Sequence, residues 1–149
     1  MENERKWLVD NYTACEMIQG LIAMKTVQGY LNTMDDEYQI RYRSVNNTRF
    51  MLEIKSKGHL SRQELRYNIT KEQFKEGMKL CKSKVEKKRY IVDLPDGLKA
   101  EVDIYKDWDF VTVEVEFDTP GEAEVFEAPW WFGKDVTYDP KYKNINLAK

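Results

Sequence analysis

Charge alternates along this chain with the period of a β-strand, in segment after segment. Glu2, Glu4 and Lys6 interleave with Asn3, Arg5 and Trp7. Residues two apart on a strand share a face, so two carboxylates and an ammonium line one side of it. The same spacing recurs at Arg41/Arg43, Arg62/Glu64/Arg66, Lys87/Arg89, Glu101/Asp103 and Glu114/Glu116. A half-buried sheet ordinarily turns its apolar face inward and its charges to water, and one such pair alone reads as a solvated outer face. Repeated on most strands, the pattern leaves two readings. Either the chain carries many outer faces joined by weak cross-strand ion pairs, or the sheet closes around a polar interior. Alternation does not by itself decide closure. A polar interior would suit a metal ion and a polyanion.

The chain of 149 residues fits one domain, 1–149, with a core of useful size. Its 24 basic and 26 acidic residues nearly cancel, to a net charge of −2. That balance argues against a broad basic face for a nucleic acid polymer. Cys15 and Cys81 lack CxxC spacing and a nearby His, and are expected to be buried, reduced thiols. No apolar run reaches the ~18 residues of a membrane span, and a charged motif at residue 2 leaves no room for a signal peptide. A cytoplasmic protein without a membrane partner is expected.

Strands are expected at 2–9, Lys25–Leu31, 37–45, 49–57, 61–69, 85–93, 98–105 and 110–117. Asn46-Asn47 and Pro95-Asp96-Gly97 mark turns. Thr13-x-x-Glu16 and Thr70-x-x-Gln73 are capping-box patterns. The first predicts a helix over Thr13–Met24, and the second a helix with Phe74, Met78 and Cys81 on its buried face. A short helix or turn is expected at Gly121–Phe126. The tail from Pro129 onward is aromatic and irregular, with a final helical turn.

Glu2, Glu4, Glu114 and Glu116 are the strongest candidate metal ligands, with Glu64, Glu101 and Asp103 as further ones. Carboxylates held close repel unless a cation lies among them. Mg2+ is the cation of choice, with Mn2+ as an alternative, because a hard ion bridges carboxylates to phosphate oxygens. Lys6, Arg41, Arg43, Lys55, Arg62, Lys87 and Arg89 supply the complementary cations for a small polyphosphate or triphosphate, Arg through its planar fork. No Ser-His or Cys-His pair suggests a nucleophile, and His59, after Gly58, reads as a loop residue.

The ordered set of these motifs resembles the CYTH domain, or triphosphate tunnel metalloenzyme family. Glu2-x-Glu4-x-Lys6 is similar to its ExExK signature and Arg41-Tyr42-Arg43 to its RxR strand. Lys55 before Gly58 resembles its lysine strand, Arg62-x-Glu64 its RxE strand and Lys87-Lys88-Arg89-Tyr90 its KxRY. Glu101-Val102-Asp103 and Glu114-Val115-Glu116-Phe117 resemble its acidic strands. Trp131-Phe132-Gly133-Lys134-Asp135-Val136-Thr137-Tyr138-Asp139, with Tyr142 and Asn144, resembles its WxGxEVTxDxRYxN tail. Arg66 departs from the pattern where relatives continue with an acid, and Asp135 replaces a Glu. With the chain ending at Lys149, any C-terminal plug helix is expected to be short.

The resemblance implies an α+β fold, an antiparallel eight-stranded closed β-barrel with helices packed outside. It implies metal-dependent triphosphate hydrolysis inside the tunnel, and the small bacterial members are commonly inorganic triphosphatases. It also places Lys87 and Tyr30 as a lysine–tyrosine pair that activates the attacking water. Hydrolysis of nucleoside or thiamine triphosphate, an adenylate cyclase, a non-catalytic polyphosphate-binding module and a homodimeric assembly all stay open. Trp108, Trp130 and Trp131 either stack a base at the tunnel mouth or pack the barrel ends.

Overall fold

The computed structural model describes residues 1–32 and 36–149. Nine antiparallel strands form one sheet: β1 Glu2–Val9, β2 Met24–Tyr30, β3 Tyr38–Val45, β4 Arg49–Ser56, β5 Ser61–Arg62, β6 Glu64–Asn68, β7 Ser83–Asp93, β8 Lys99–Tyr105 and β9 Val111–Phe117. Their order across the sheet is β5-β1-β9-β8-β7-β2-β3-β4-β6. The two edges, β5 and β6, are separated in sequence only by Gln63, so the sheet curls until its ends meet in one stretch of chain. This stretch is the segment expected as a single strand at 61–69. It breaks because β5 pairs with β1 (Glu2 opposite Arg62) while β6 pairs with β4 (Lys55 opposite Glu64). Gln63 is held at the switch, its carbonyl accepting from Ser56 N at 3.0 Å and its N–H donating to Ser56 Oγ at 2.8 Å. Counted as one bent strand, β5 and β6 make this the expected eight-stranded, nearly closed barrel.

The barrel is polar inside and apolar outside. Trp7, Val9, Ala100, Val102, Val113, Val115 and Phe117 form a buried layer on the outer face of β1, β8 and β9. It is covered by α1 (Asn11–Met17), α3 (Pro120–Val125) and the tail residues Trp131 and Phe132. Across the barrel, α2 (Lys71–Leu80) packs on β2, β3 and β4, with Phe74 against Phe50 at 5.3 Å between ring centroids. Close approach here depends on two glycines: a Cβ on Gly77 would meet the Tyr42 ring at 2.3 Å, and one on Gly29 would meet Met78 Sδ at 2.6 Å. The Thr70 capping box forms as expected, Gln73 N donating to Thr70 Oγ1 and Thr70 N to Gln73 Oε1.

The first helix differs from expectation. Asp10, not Thr13, caps it: the Asp10 carboxylate accepts from Thr13 N, which pulls the helix start upstream. The helix stops at Met17, and Gly20 turns the chain at φ +80°, leaving Leu21 and Ile22 exposed. The shorter helix also leaves Cys15 exposed, and Cys81 is only partly buried, so neither thiol is in the core. Asn46 and Asn47 make the expected tight hairpin turn, both at φ +53°. The tail residues Val136–Asn144 run to one end of the barrel, and α4 (Asn144–Leu147) packs there with Tyr30, Val85 and Tyr105. Among the described residues no helix is long and apolar enough to cross a membrane.

Candidate active site

Strand pairing turns the alternating charges inward and sets which of them meet. Two cavities result. The first, about 240 Å3, is lined by eight basic side chains (Arg41, Arg43, Arg49, Lys55, Arg62, Arg66, Lys87, Arg89) and five acidic ones (Glu2, Glu4, Glu101, Glu114, Glu116). The excess of cations makes it attractive to a polyanion. The second, about 40 Å3, lies under the tail and is bounded by Lys6, Tyr30, Arg41, Arg62, Lys143 and their neighbours. Eleven of the twelve expected site residues line the first cavity or sit among the ion pairs of its wall. Tyr30 is the exception. It is buried in the second cavity with Arg41 as its cross-strand neighbour, whereas Lys87 faces the first. On β7 the partner of Tyr30 is Ser83, four residues from Lys87, so register does not set the two side by side.

Most of the cations are braced by carboxylates. Asp103, fully buried, accepts from Lys87 Nζ at 2.7 Å and from Arg89 Nε and Nη2 at 2.8 Å each. With both oxygens used in this way, Asp103 positions cations. Arg89 also reaches Glu101 at 2.6 Å. Glu2 takes Lys55 at 3.1 Å and Arg62 at 3.2 Å. Burial would raise the Glu2 carboxyl, but Lys55 and its other partners hold it down at about 2. Lys6 lies 3.4 Å from Glu114 and donates to the Tyr142 carbonyl. Sequence reasoning passed over Glu53, which is fully buried and accepts from Arg41 Nε and from Arg66 Nε, both at 3.0 Å. Its signal was there: it shares a face with Lys55 and stands opposite Arg41 in register. Arg66, the departure from the family pattern, bridges Glu53 and Glu64.

Arg43 is poorly compensated, and Lys87 holds its proton weakly in spite of its bond to Asp103. Arg43 has one distant carboxylate, Glu53 at 3.9 Å. Burial, then Arg41 and Arg89, push it down to about 10. Lys87 is pushed down to about 8, by burial first and by Arg89 and Lys6, against the pull of Asp103. Arg43 is where an incoming anion gains most.

The carboxylates respond in the opposite sense. Burial, then Glu114 and Glu2, raise Glu4 well above the usual carboxylate range. Burial would raise Glu114 too, but Lys6, Arg89 and Lys87, with a hydrogen bond from Glu4, hold it well below that range. The two carboxyls are thus pushed apart, Glu4 toward its neutral form and Glu114 toward its ionised one. Glu116, at the exposed rim, is raised by burial and by Glu2 and Glu101. A cation that replaced the Glu4 proton would relieve this repulsion, and the donors are hard oxygens, so these residues fit a divalent ion. Among the described residues, no three or more His, Cys, Asp or Glu side chains gather into a closed cage.

The aromatic candidates lie elsewhere. Trp108 donates to the Leu147 carbonyl at 2.9 Å, Trp131 packs edge-on against Phe132 outside the barrel, and Trp130 is exposed beside it. No aromatic side chain lines the first cavity among the described residues. His59 is an exposed loop residue, its ring 5.7 Å from that of Tyr138.

No family model matches the chain. The inorganic triphosphatase of Nitrosomonas europaea is 39% identical over 99% of this chain and 96% of its own length. That of Acetivibrio thermocellus is 31% identical over 99% and 93%. The chain belongs to the inorganic triphosphatase family. A crystal structure of an inorganic triphosphatase, 35% identical, superposes with a TM-score of 0.66 over 99% of this chain and 94% of that one. The barrel is shared more widely. A putative adenylyl cyclase of Hippeastrum with a dominant triphosphatase activity matches at TM-score 0.64 and 14% identity, over 83% of each chain, a likeness of fold alone.

Proposed function

We propose that this chain hydrolyses inorganic tripolyphosphate to orthophosphate and pyrophosphate inside its tunnel, with a divalent metal ion, Mg2+ in the first instance and Mn2+ as a substitute. The observation that carries the substrate is the lining of the first cavity: eight cations, five carboxylates and, among the described residues, no ring on which a base could stack. Membership of the inorganic triphosphatase family supports the reaction.

Phosphoryl transfer needs positioning and charge stabilisation more than a covalent group. Arg41, Arg43, Lys55, Arg62, Arg89 and Lys6 would hold phosphate oxygens, with Arg43 free to give its fork. Glu53, Asp103 and Glu101 keep the guanidinium groups pre-aimed, so little ordering remains when the substrate enters. Glu4 and Glu114, with Glu116 and Glu2 beside them, would hold the ion. When bound, that ion offsets charge on the phosphates and polarises a phosphoryl oxygen. Lys87, with its lowered affinity for a proton, accepts one from the attacking water. Tyr30 supports Arg41 and acts on the water only through the packing between the two cavities. The two unbridged thiols agree with a reducing, cytoplasmic setting.

Competition kinetics with tripolyphosphate and ATP at saturating Mg2+ test this reading. The expected kcat/KM ratio favours tripolyphosphate by at least about tenfold, or ~1.4 kcal/mol. Equal use of ATP overturns the substrate, and no phosphate release from either overturns the hydrolase.

A further inference from the structure

β2 is the wall of the tunnel that carries no inward charge: Met24, Thr26 and Gln28 face the first cavity from it. Thr26 and Gln28 are each 1% exposed. Thr26 Oγ1 and Gln28 Oε1 have no hydrogen-bond partner among the described residues. A buried polar atom left unpaired is destabilising, because it has given up its hydrogen bond to water. Val and Met would fill the same two volumes without that cost. A partner supplied from the cavity accounts for both atoms.

The register says what that partner must be. Thr26 is the cross-strand partner of Lys87 on one side, and Gln28 that of Arg43 on the other. The two unpaired atoms thus lie between the Lys87 amine and the Arg43 guanidinium, the second of which would grip a phosphate. The amide oxygen Gln28 Oε1 can only accept, so an ionised phosphate oxygen cannot satisfy it. A water molecule can, since it brings two protons. Resting on the tripolyphosphatase reading above, we propose that Gln28 Oε1 and Thr26 Oγ1 accept hydrogen bonds from the attacking water and fix its orientation toward the terminal phosphorus. With both protons directed at the β2 wall, a lone pair on the water oxygen is left to face the phosphoryl group held by Arg43. The water oxygen then bonds to phosphorus as the bridging P–O bond breaks. Its electron pair leaves with pyrophosphate, the water proton held by Thr26 Oγ1 passes on through that hydroxyl, which gives its own proton to the neighbouring Lys87 amine, and the other water proton stays on orthophosphate.

Thr26→Val and Gln28→Met test the assignment, each keeping the side chain's bulk. With tripolyphosphate and Mg2+, each is expected to lower kcat by about 10- to 100-fold, while KM moves less than about threefold. Thr26→Ser, which keeps the hydroxyl, is expected to hold kcat within about threefold of wild type. An unchanged kcat, or a loss that falls on KM alone, overturns the water assignment. So does a Thr26→Ser variant as slow as Thr26→Val, because the loss is then one of packing. Should Thr26→Val not fold, the Gln28→Met kcat and KM decide alone. Wild-type protein that releases no orthophosphate from tripolyphosphate overturns the functional reading itself. Active wild type with equally active variants overturns only this inference.

Discussion

Glu53→Gln removes one negative charge from the most enclosed point of the tunnel wall and changes almost no volume. Glu53 is fully buried, and its two oxygens are shared between Arg41 Nε at 3.0 Å, Arg66 Nε at 3.0 Å and Arg66 Nη2 at 2.9 Å. The wild-type arrangement holds this carboxyl far below the usual carboxylate range. Burial opposes ionisation, but Arg41 and the other cations nearby outweigh it. A glutamine amide oxygen can still accept from one guanidinium, but its NH2 group turns a donor toward the other. Removing one partner of a buried ion pair costs about 3–5 kcal/mol. One retained neutral hydrogen bond returns about 1 kcal/mol, leaving a loss of roughly 2–4 kcal/mol. At about 2–4 °C per kcal/mol for a domain of this size, Tm should fall by roughly 5–15 °C. Thermal unfolding by circular dichroism measures it, with Glu76→Gln as a control, since the Glu76–Lys79 pair is open to water and worth little. The deficit should shrink when tripolyphosphate is present, because its charge compensates the same arginines. A Glu53→Gln protein that melts within about 2 °C of wild type without ligand would refute the bracing argument.

Glu114→Gln and Glu4→Gln should each abolish turnover at limiting Mg2+ while leaving the circular dichroism spectrum intact, and near-native activity in either would remove the acidic pair from the ion's site. The kcat should rise with pH through about 8, where Lys87 gives up its proton, because only the neutral amine can accept one from water. Lys87→Arg should lose both the activity and that rise, and a profile unchanged by the substitution would assign it to another group. Gly58→Ala should destabilise by about 1–3 kcal/mol and raise KM, through misplacement of Arg62. Gly58 has φ +148°, and a Cβ there would meet the Ser61 carbonyl oxygen at 2.2 Å. Urea unfolding and steady-state kinetics on the same variant check both.

The strands of this barrel were readable because their charges alternate, and period two is a local property of sequence. The Asn46-Asn47 turn and the Thr70 cap were readable for the same reason, each needing only two to four neighbouring residues. The first helix was misjudged where two local signals competed. Asp10 and Thr13 are both good caps three residues apart, and Asp10 prevailed because its carboxylate reaches Thr13 N. Gly20 was a stop signal inside an apolar run that otherwise looked helical.

What stayed hidden is the set of neighbours, because register is not local. Alternation puts Arg41, Glu53, Lys87 and Asp103 on inward faces but does not say that Glu53 stands opposite Arg41, or that Asp103 stands opposite Arg89. Searching for like-charged pairs favoured Glu114/Glu116 and Arg41/Arg43, and it passed over Glu53, whose same-face neighbours are Met51 and Lys55. It also passed over Thr26 and Gln28, which are uncharged and matter because of what flanks them on β3 and β7. The tyrosine–lysine pair is the converse case. Tyr30 and Lys87 match a pattern in sequence order, yet their register places them four residues apart along the β2–β7 ladder. At roughly 3.3 Å per residue that offset is about 13 Å along the strand, so only the length of the two side chains, and not their register, can bring them together. A charged tunnel is thus written into a sequence as faces, while its chemistry depends on which faces meet, and closure of the sheet through Gln63 fixes the last of those meetings.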